Sequence, residues 1–454
     1  MRPPQPRRCP TASRARVWLA AWSLALLSAC GGGGGDRVSP PFGCDLADQQ
    51  SWLRSYMNDW YFWYRLSPSP DPAGFASLAS YFDALLYTGT DAAFPADRFS
   101  YYESTDSYNR FFGDGKSLGY GLFVAGVEVQ GQPDLPLRVR YVEPQSDAAA
   151  KGVLRGEQIV SLNGRPASEL IAADDYNVLV PGAAGDELKL VVRGSGGDRS
   201  VTLLATVYAL TPVTPPTIVS SPLGRKIGYV LVKDMINQAL TPLDDAFAQF
   251  KAQGVDEAVL DLRYNGGGLV SVGQRLASFV NAPRTSGRDY VRLLYNDKRA
   301  ASDNTTVRFD NPAAALGLSR VYVLTGPRTC SASEQVINGL RPFVDVVTVG
   351  DTTCGKPVGF LPTAQCGNTF SVVNFESVNA RNEGRYFDGL DANCPVAEDL
   401  SRPLGTPAEP LLAVAARHAD TGLCKVIEPL EAPRKRQPGH RGTESNDRQG
   451  MFAQ

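Results

Sequence analysis

The chain of 454 residues contains 45 lysines and arginines and 47 aspartates and glutamates, and its formal net charge is −2. Without the five arginines of the first sixteen residues, the net charge is about −2 − 5 = −7, which argues against a nucleic-acid partner, since such a partner requires a basic face. The two histidines, His418 and His440, both lie near the end of the sequence, which disfavours a hydrolytic centre built on histidine. No C-x-x-C or H-E-x-x-H motif occurs, which disfavours a structural zinc site and a zinc protease.

Residues 1–29 are predicted to be a bacterial lipoprotein signal peptide. Five arginines precede an apolar run at residues 17–27, which is too short to span a bilayer in the mature protein. The motif L-S-A-C resembles a lipobox, in which Cys30 is lipidated, and residues 30–42 form a Gly-rich tether. We expect a membrane-associated protein anchored through its lipid at the periplasmic face, with Gly31 favouring the outer membrane. An ordinary cleaved export signal is the alternative.

Six cysteines remain after Cys9 and Cys30 are set aside. An even number of cysteines in an exported chain predicts disulfides, although the sequence leaves the connectivity open. The pairs that we predict are Cys330 with Cys354, Cys366 with Cys394, and Cys44 with Cys424.

The regions at the two ends of the globular part differ in composition. Residues 43–104 are predicted to be helical, with a second helix over Phe75–Leu86, and the aromatic cluster Trp60–Tyr64 is typical of core packing. Residues 426–454 are rich in Arg, Gly, Pro and Gln, which predicts a disordered tail.

Residues 105–208 change to short β runs with glycine turns. Ser146 is predicted to cap a short helix that Gly152 ends, and Asn163-Gly164 forms a turn. The pattern resembles a PDZ domain over this whole length. The resemblance implies that a loop binds the C-terminus of a protein or peptide, and its residues are Gly119, Tyr120, Gly121 and Leu122. A small β domain without a peptide groove is the alternative.

Residues 209–425 alternate strands with helices, which predicts an α/β layer fold. The predicted strands are Ile227–Val232, Ala258–Arg263, Val321–Thr325 and Asp345–Gly350, and the predicted helices are Pro242–Gln253, Leu269–Val280 and Ser331–Leu340.

Ser331 opens a predicted helix in the sequence S-A-S-E, and Lys356 follows 25 residues later. S-A-S-E also fits a structural capping box. A serine at a strand-to-helix turn can instead be a nucleophile, provided that a nearby group accepts its proton. A lysine can do so when burial disfavours its charged form.

Lys356 also ends a G-x-x-x-x-G-K motif, but Pro357 stands where a phosphate-binding loop needs Ser or Thr, which disfavours a nucleotide site.

Three segments together resemble the carboxyl-terminal processing (tail-specific) protease family: D-L-R-Y-N-G-G-G, T-C-S-A-S-E and T-C-G-K-P. The resemblance implies a ClpP/crotonase-like α/β protease core and a serine endopeptidase without metal or cofactor. It further implies that Ser331 is the nucleophile, Lys356 the general base, and Gly267 and Ala332 the donors of an oxyanion hole. Ser333 is the alternative nucleophile.

One position departs from the family pattern. Many members have a glutamine four residues after the lysine, and this chain has Phe360. Asn338 or Asn374 could hold the amine instead, or the enzyme could work with the two residues alone. Phe360 also leaves open a second hypothesis, a catalytically inactive PDZ lipoprotein that acts as a scaffold. A crotonase-like acyl-thioester enzyme is a third hypothesis, which the export signal disfavours. The sequence does not indicate the oligomeric state.

Overall fold

The computed structural model describes residues 43–424 and 450–452. The predicted signal peptide, the lipobox Cys30, the tether up to residue 42 and most of the predicted tail lie outside the described residues. Within the described ranges, no helix is both long enough and apolar enough to cross a bilayer.

The first part of the described chain contains two helices, whereas most of the other residues of the region predicted to be helical form turns and bends. Asp45 and Ser77 cap the two helices through their side-chain oxygens. The aromatic cluster at Trp60–Tyr64 packs in or against the main core, with Tyr61 and Trp63 buried, as the sequence indicated. A strand that was not predicted follows the helices. The elements are α1 (Leu46–Trp60), α2 (Leu78–Leu85) and β1 (Tyr101–Ser104).

The next part consists of short strands and short helices around a core of its own. The predicted cap at Ser146 is present, and Asn163 and Gly164 both have positive φ, as a tight hairpin turn requires. The elements are α3 (Thr105–Tyr108), β2 (Lys116–Gly119), β3 (Leu122–Val124), α4 (Gly126–Val129), β4 (Val139–Val142), α5 (Asp147–Ala150), β5 (Gln158–Leu162), β6 (Arg165–Pro166), α6 (Ala167–Ala173), β7 (Glu187–Gly194), β8 (Gly197–Leu204) and β9 (Thr206–Ala209).

The remaining part carries the predicted alternation of strands and helices. Each of the seven predicted elements is present, with ends that shift by a few residues. The elements are β10 (Thr217–Ser220), β11 (Lys226–Leu231), α7 (Leu240–Gln253), β12 (Glu257–Asp261), β13 (Gly267–Leu269), α8 (Val270–Thr285), β14 (Asp289–Tyr295), α9 (Ala300–Asp303), β15 (Thr305–Arg308), β16 (Arg320–Thr325), α10 (Ala332–Leu340), β17 (Asp345–Gly350), β18 (Val358–Phe360), β19 (Thr363–Gln365), β20 (Asn368–Ser371), β21 (Val373–Val378), β22 (Cys394–Pro395), α11 (Pro410–Thr421) and β23 (Gly450–Phe452).

Two six-stranded sheets organise this last part. The first has the order β10-β11-β12-β16-β17-β22, and all neighbours from β11 onward are parallel. The second has the order β13-β23-β18-β21-β14-β15. Binding sites in parallel α/β sheets lie beyond the carboxyl ends of the strands. The segments that follow β12 and β16 contain the N-G-G-G turn and Ser331, so both arrive at the same edge.

Strands outside the two large sheets join the regions. β1 pairs antiparallel with β20 in a three-stranded sheet that also contains β19, so the first region is attached to the last. β2 and β9, the first and last strands of the 105–209 region, pair with each other and close that region on itself.

Among the described residues there are three disulfides, of which one was predicted correctly. Cys330 is bonded to Cys354 as expected, but the other two predicted pairs are wrong. The structure joins Cys44 to Cys366 and Cys394 to Cys424. The reason is topological. α1 packs against β19 and β20, where the Thr363 hydroxyl bonds to the Tyr56 hydroxyl and the Trp52 ring lies 5.1 Å from that of Phe370, so the start of α1 lies near the turn that holds Cys366. α11 ends just before Cys424 and brings it to β22.

The prediction of a disordered tail over residues 426–454 is wrong for Gly450–Phe452, which form β23 within the second sheet. Residues 425–449 lie outside the described residues. Amino-acid composition describes the segment as a whole, so it cannot show that a few of its residues fit an open sheet edge.

Loss of the Cys44–Cys366 disulfide should destabilise the fold strongly, because it closes a loop of 322 residues. We expect the double substitution to Ser to lower the free energy of unfolding in urea by about 2–4 kcal/mol. Peptide mapping without reduction provides the direct check. A linked peptide that joins Cys44 to Cys424 would contradict this connectivity.

Candidate active site

Ser331 lies in a strained turn between β16 and α10. Its backbone has φ 59° and ψ −114°, a combination that a residue with a side chain adopts only when its surroundings enforce it. Ser331 is fully buried, at 0% exposure. A strained serine at the start of a helix is the arrangement that presents a hydroxyl for nucleophilic attack.

The Glu334 carboxylate connects the serine segment to the lysine segment. Its Oε2 accepts hydrogen bonds from the backbone N–H of Ser331 and from that of Lys356, both at 2.8 Å. Its Oε1 accepts from the N–H of Gly355 and from the Thr353 hydroxyl. The backbone nitrogens of Ser331 and Lys356 therefore share one acceptor atom and lie within two hydrogen-bond lengths of each other.

The Cys330–Cys354 disulfide reinforces this connection with a covalent bond, and the Cα atoms of the two cysteines are 5.2 Å apart. Only one half of the predicted capping box at S-A-S-E is formed, because Glu334 accepts from Ser331 N–H while Ser331 Oγ accepts no hydrogen bond from a described residue. Burial raises the pKa of the Glu334 carboxyl, while the hydrogen bonds from Thr353 and from the backbone act in the opposite direction.

Lys356 is buried at 1% exposure, and burial lowers the pKa of its amine from 10.5 to about 7. The negative charges of Asp97 and Glu334 partly oppose that shift. A lysine of this kind is substantially neutral near pH 7, so it is able to accept a proton.

Aromatic rings surround the Lys356 amine. Nζ lies 3.8 Å from the centroid of the Phe360 ring and 5.7 Å from that of Phe99. The residue that departs from the family pattern therefore faces the amine directly. The two asparagines considered as substitutes are engaged elsewhere: Asn374 bonds to Leu361 N–H, and Asn338 bonds to the Glu383 carbonyl.

The N-G-G-G turn packs directly against the serine turn. The carbonyl of Asn265 accepts hydrogen bonds from Cys330 N–H and from the Ser333 hydroxyl, at 3.1 and 3.0 Å. Ser333 is thus committed to a structural bond, which favours Ser331 as the nucleophile. Gly268 has φ 132°, and a Cβ there would lie 2.2 Å from the Met235 carbonyl oxygen, so the close approach of the two backbones requires glycine.

The two predicted oxyanion donors differ in whether their backbone N–H group already donates a hydrogen bond within the protein. Ala332 is the first residue of α10, where no carbonyl of the helix can accept its N–H. The N–H of Gly267 donates to Asn265 Oδ1 at 2.8 Å, so this bond must break before Gly267 can serve a substrate.

Ser331 Oγ makes no hydrogen bond with any described residue, so the bond from this hydroxyl to the Lys356 amine is not formed in this state. Catalytic hydrogen bonds often tighten only when substrate is bound. The structure thus brings the Ser331 and Lys356 segments together at Glu334, without a hydrogen bond from Ser331 Oγ to Lys356.

The predicted peptide-binding loop lies apart from this site, in the core of the 105–209 region. Tyr120 and Leu122 are buried there, and Gly121 has φ 72° in contact with Ser146, whose side chain a Cβ would overlap. The adjacent Phe123 points instead toward the protease part, where Lys233 Nζ lies 4.4 Å from its ring centroid.

Sequence reasoning missed two residues of the site, Asp97 and Phe99, which come from the first region of the chain. Asp97 is held by the Tyr61 hydroxyl and the Ser100 hydroxyl, at 2.7 and 2.6 Å. No motif marks them, because only the packing of the first region on the last brings them to Lys356. His418, on α11, forms a hydrogen bond with the Tyr322 hydroxyl on β16, and His440 lies outside the described residues.

Comparison with known proteins agrees with this site. A model of peptidase family S41 matches residues 226–379, and a model of the peptidase S41 N-terminal domain matches residues 48–101. The chain therefore carries S41 peptidase domains over these residues, as the motifs predicted.

Two curated relatives are carboxyl-terminal processing proteases. The protein of Picosynechococcus sp. is 27% identical over 234 residues, which cover 51% of this chain and 53% of the relative. The Bacillus subtilis protein is 24% identical over 223 residues, which cover 48% of this chain and 44% of the relative. The chain thus spans about half the length of the curated relatives that it matches.

Solved structures agree over a larger part of the chain. A putative S41 protease from Bacteroides fragilis has a TM-score of 0.62 and 27% identity, and the match covers 82% of this chain and 97% of that one. A photosystem II D1 C-terminal processing protease has a TM-score of 0.50 and 20% identity over 77% of this chain and 92% of its own, which is a likeness of fold alone.

Replacement of Glu334 by Gln should loosen the connection between serine and lysine. An amide has a single acceptor oxygen, so at least one pair of the four hydrogen bonds is lost, and we expect a decrease in the free energy of unfolding of about 2–4 kcal/mol. Glu376→Gln is the matched control, because Glu376 forms an ion pair with the half-exposed Arg385 and should cost less than about 1 kcal/mol. Equal losses in urea unfolding would contradict the role given to Glu334.

Proposed function

We propose that the chain is an exported serine endopeptidase in which Ser331 is the nucleophile and Lys356 is the general base. The observation that carries the proposal is the double use of Glu334 Oε2, which fixes a strained serine beside a buried lysine whose pKa is about 7. The sequence relatives are named as proteases, which favours a protein substrate.

The reaction follows from the roles of these groups. Ser331 Oγ bonds to the scissile carbonyl carbon as its proton passes to the neutral Lys356 amine. The backbone N–H groups of Ala332 and Gly267 stabilise the oxyanion, once Gly267 has left Asn265. The Lys356 ammonium then protonates the leaving amine, and an acyl ester of Ser331 remains. Lys356 next deprotonates a water molecule that attacks this ester, and the proton returns to Ser331 Oγ.

The proposal extends to the 105–208 region as a PDZ domain that receives the C-terminus of a substrate through Gly119–Leu122. Its support is the glycine turn before β3 and the closed unit that β2 and β9 form. The ClpP/crotonase-like description of the core belongs to the same proposal, and it is supported by the parallel sheet that delivers the Ser331 and N-G-G-G turns to one edge.

We further propose that the protein is anchored through Cys30 at the periplasmic face of a bacterial membrane. The signal-like segment supports this, and so do three disulfides that use all six cysteines from Cys44 onward. The alternative function, a scaffold without catalysis, is not favoured by relatives that are named as proteases.

Replacement of Ser331 by Ala should abolish cleavage of an unfolded protein such as reduced casein, by at least about 10³-fold, because no other group can form the acyl ester. Mass spectrometry of the fragments measures this loss. Ser333→Ala is the paired variant and should retain measurable cleavage, since its hydroxyl bonds to the Asn265 carbonyl. If Ser333→Ala loses cleavage and Ser331→Ala retains it, then Ser333 is the nucleophile and Ser331 is not.

The pH dependence of kcat/KM should report the Lys356 amine. The neutral form is the active one, so we expect kcat/KM to rise about tenfold per pH unit below about pH 7 and to level off above it. A rise only near pH 10 would contradict the lowered pKa.

Lys356→Met should be inactive but more stable than the parent. A buried lysine with a lowered pKa penalises folding fully below about pH 7, and the penalty fades as pH rises toward 10.5. We therefore expect stabilisation of up to about 5 kcal/mol at pH 6, which shrinks as pH increases. Urea unfolding at pH 6 and pH 9 measures the difference. A purely structural lysine with an ordinary pKa would give no such trend.

A further inference from the structure

A segment of the chain itself completes the second sheet. β23 (Gly450–Phe452) runs parallel to β13, with Gly267 opposite Gly450, Gly268 opposite Met451 and Leu269 opposite Phe452. On its other side it pairs with β18 at Phe360. β13 and β18 are not neighbours otherwise, so a slot of the width of one strand separates them. The segment fills this slot.

The two walls of the slot are parts of the active site. β13 begins at Gly267, the proposed oxyanion donor. β18 ends at Phe360, whose ring covers the Lys356 amine. An extended peptide in this slot therefore passes directly beside the catalytic groups. Addition of a strand to an open edge is a common way for proteins to bind peptides, because the backbone bonds supply affinity and side-chain pockets supply specificity.

One such pocket is present and aromatic. Phe452 is buried at 1% exposure. Its ring centroid lies 4.6 Å from that of Phe112, 5.5 Å from that of Phe360 and 6.3 Å from that of Tyr108. Burial of a phenylalanine side chain contributes about 1.5–3 kcal/mol, and aromatic contacts add to it. The pocket selects a large apolar side chain.

The conformation of the catalytic groups is consistent with an occupied slot. Gly267 donates to Asn265 and not toward a substrate, and Ser331 Oγ is not hydrogen-bonded to Lys356. The strand that contains Gly267 is the one that β23 pairs with, so the segment holds the oxyanion strand in this state.

We propose that the slot between β13 and β18 is the groove for extended peptides with an aromatic or large apolar residue, and that residues 450–452 are its intramolecular ligand. Substrates then compete with the chain's own segment. The competition rests on the proposed function, whereas the binding of peptide to the slot does not.

The size of the competition can be bounded. A tethered ligand acts at an effective concentration on the order of 1 mM. For a short strand with one buried aromatic side chain, a Kd on the order of 0.1 mM is reasonable. The segment then weakens the binding of an external peptide by about tenfold.

The first experiment measures peptide binding without catalysis. A fluorescent peptide with the sequence of residues 448–454, R-Q-G-M-F-A-Q, is titrated into the full chain with Ser331→Ala and into the same protein that also has Phe452→Ala. We expect about tenfold tighter binding to the second protein, and no binding of the peptide in which Phe is replaced by Ala. Leu223→Ala, at a residue that is 77% exposed, is the control and should leave the affinity unchanged.

Thermal melting verifies that each variant is folded, and Phe452→Asp provides a second way to empty the pocket. If the peptide binds equally to the proteins with and without Phe452, or binds to neither Phe452 variant, the inference is wrong.

The second experiment separates the two proposals. In the protein with Ser331 intact, Phe452→Ala should lower KM for an unfolded substrate by about tenfold and leave kcat unchanged. If the Phe452→Ala protein cleaves substrate with an unchanged KM, residues 450–452 do not compete with substrate, but the chain is still a protease. Peptide binding that depends on Phe452, in a chain that cleaves nothing, would support the groove and overturn the proposed function.

Discussion

The carboxylate of Glu334 is the constraint on which the site depends. It is buried, and it accepts hydrogen bonds from three backbone N–H groups and one hydroxyl on two segments that are distant in sequence. Unpaired, it would cost several kcal/mol in the interior, so the fold keeps all four donors around it. The strained backbone of Ser331 and the buried backbone of Lys356 are both consequences of this arrangement.

Aromatic rings form part of the surroundings of the Lys356 amine. A polar partner such as glutamine would hold the amine by a hydrogen bond. Phe360 offers a ring face, which attracts a charged amine weakly and excludes water. Exclusion of water is the larger effect, because burial is the first cause of the lowered pKa. The absence of the glutamine is thus compatible with a lysine that is partly neutral near pH 7.

The sequence predicted those parts of the fold and the site that are encoded locally. The strands and helices around Ser331 follow from apolar patterns and caps, and the S-A-S-E and C-G-K motifs mark both halves of the serine–lysine pair. Asp97 and Phe99 could not be predicted, because their contact with Lys356 arises from the packing of separate regions. The Cys44–Cys366 bond depends in the same way on the packing of α1 against β19 and β20, and β23 depends on an open edge that exists only in the folded sheet.

The proposed chemistry requires that folding holds the Lys356 amine away from water, near Ser331, so that the amine loses its proton near neutral pH. A titration of ¹⁵N-labelled lysine amines by NMR, with the Lys356 signal assigned by its absence in Lys356→Met, tests this directly. We expect a midpoint near pH 7 for that one amine. A midpoint close to 10.5, as for an exposed lysine, would contradict it.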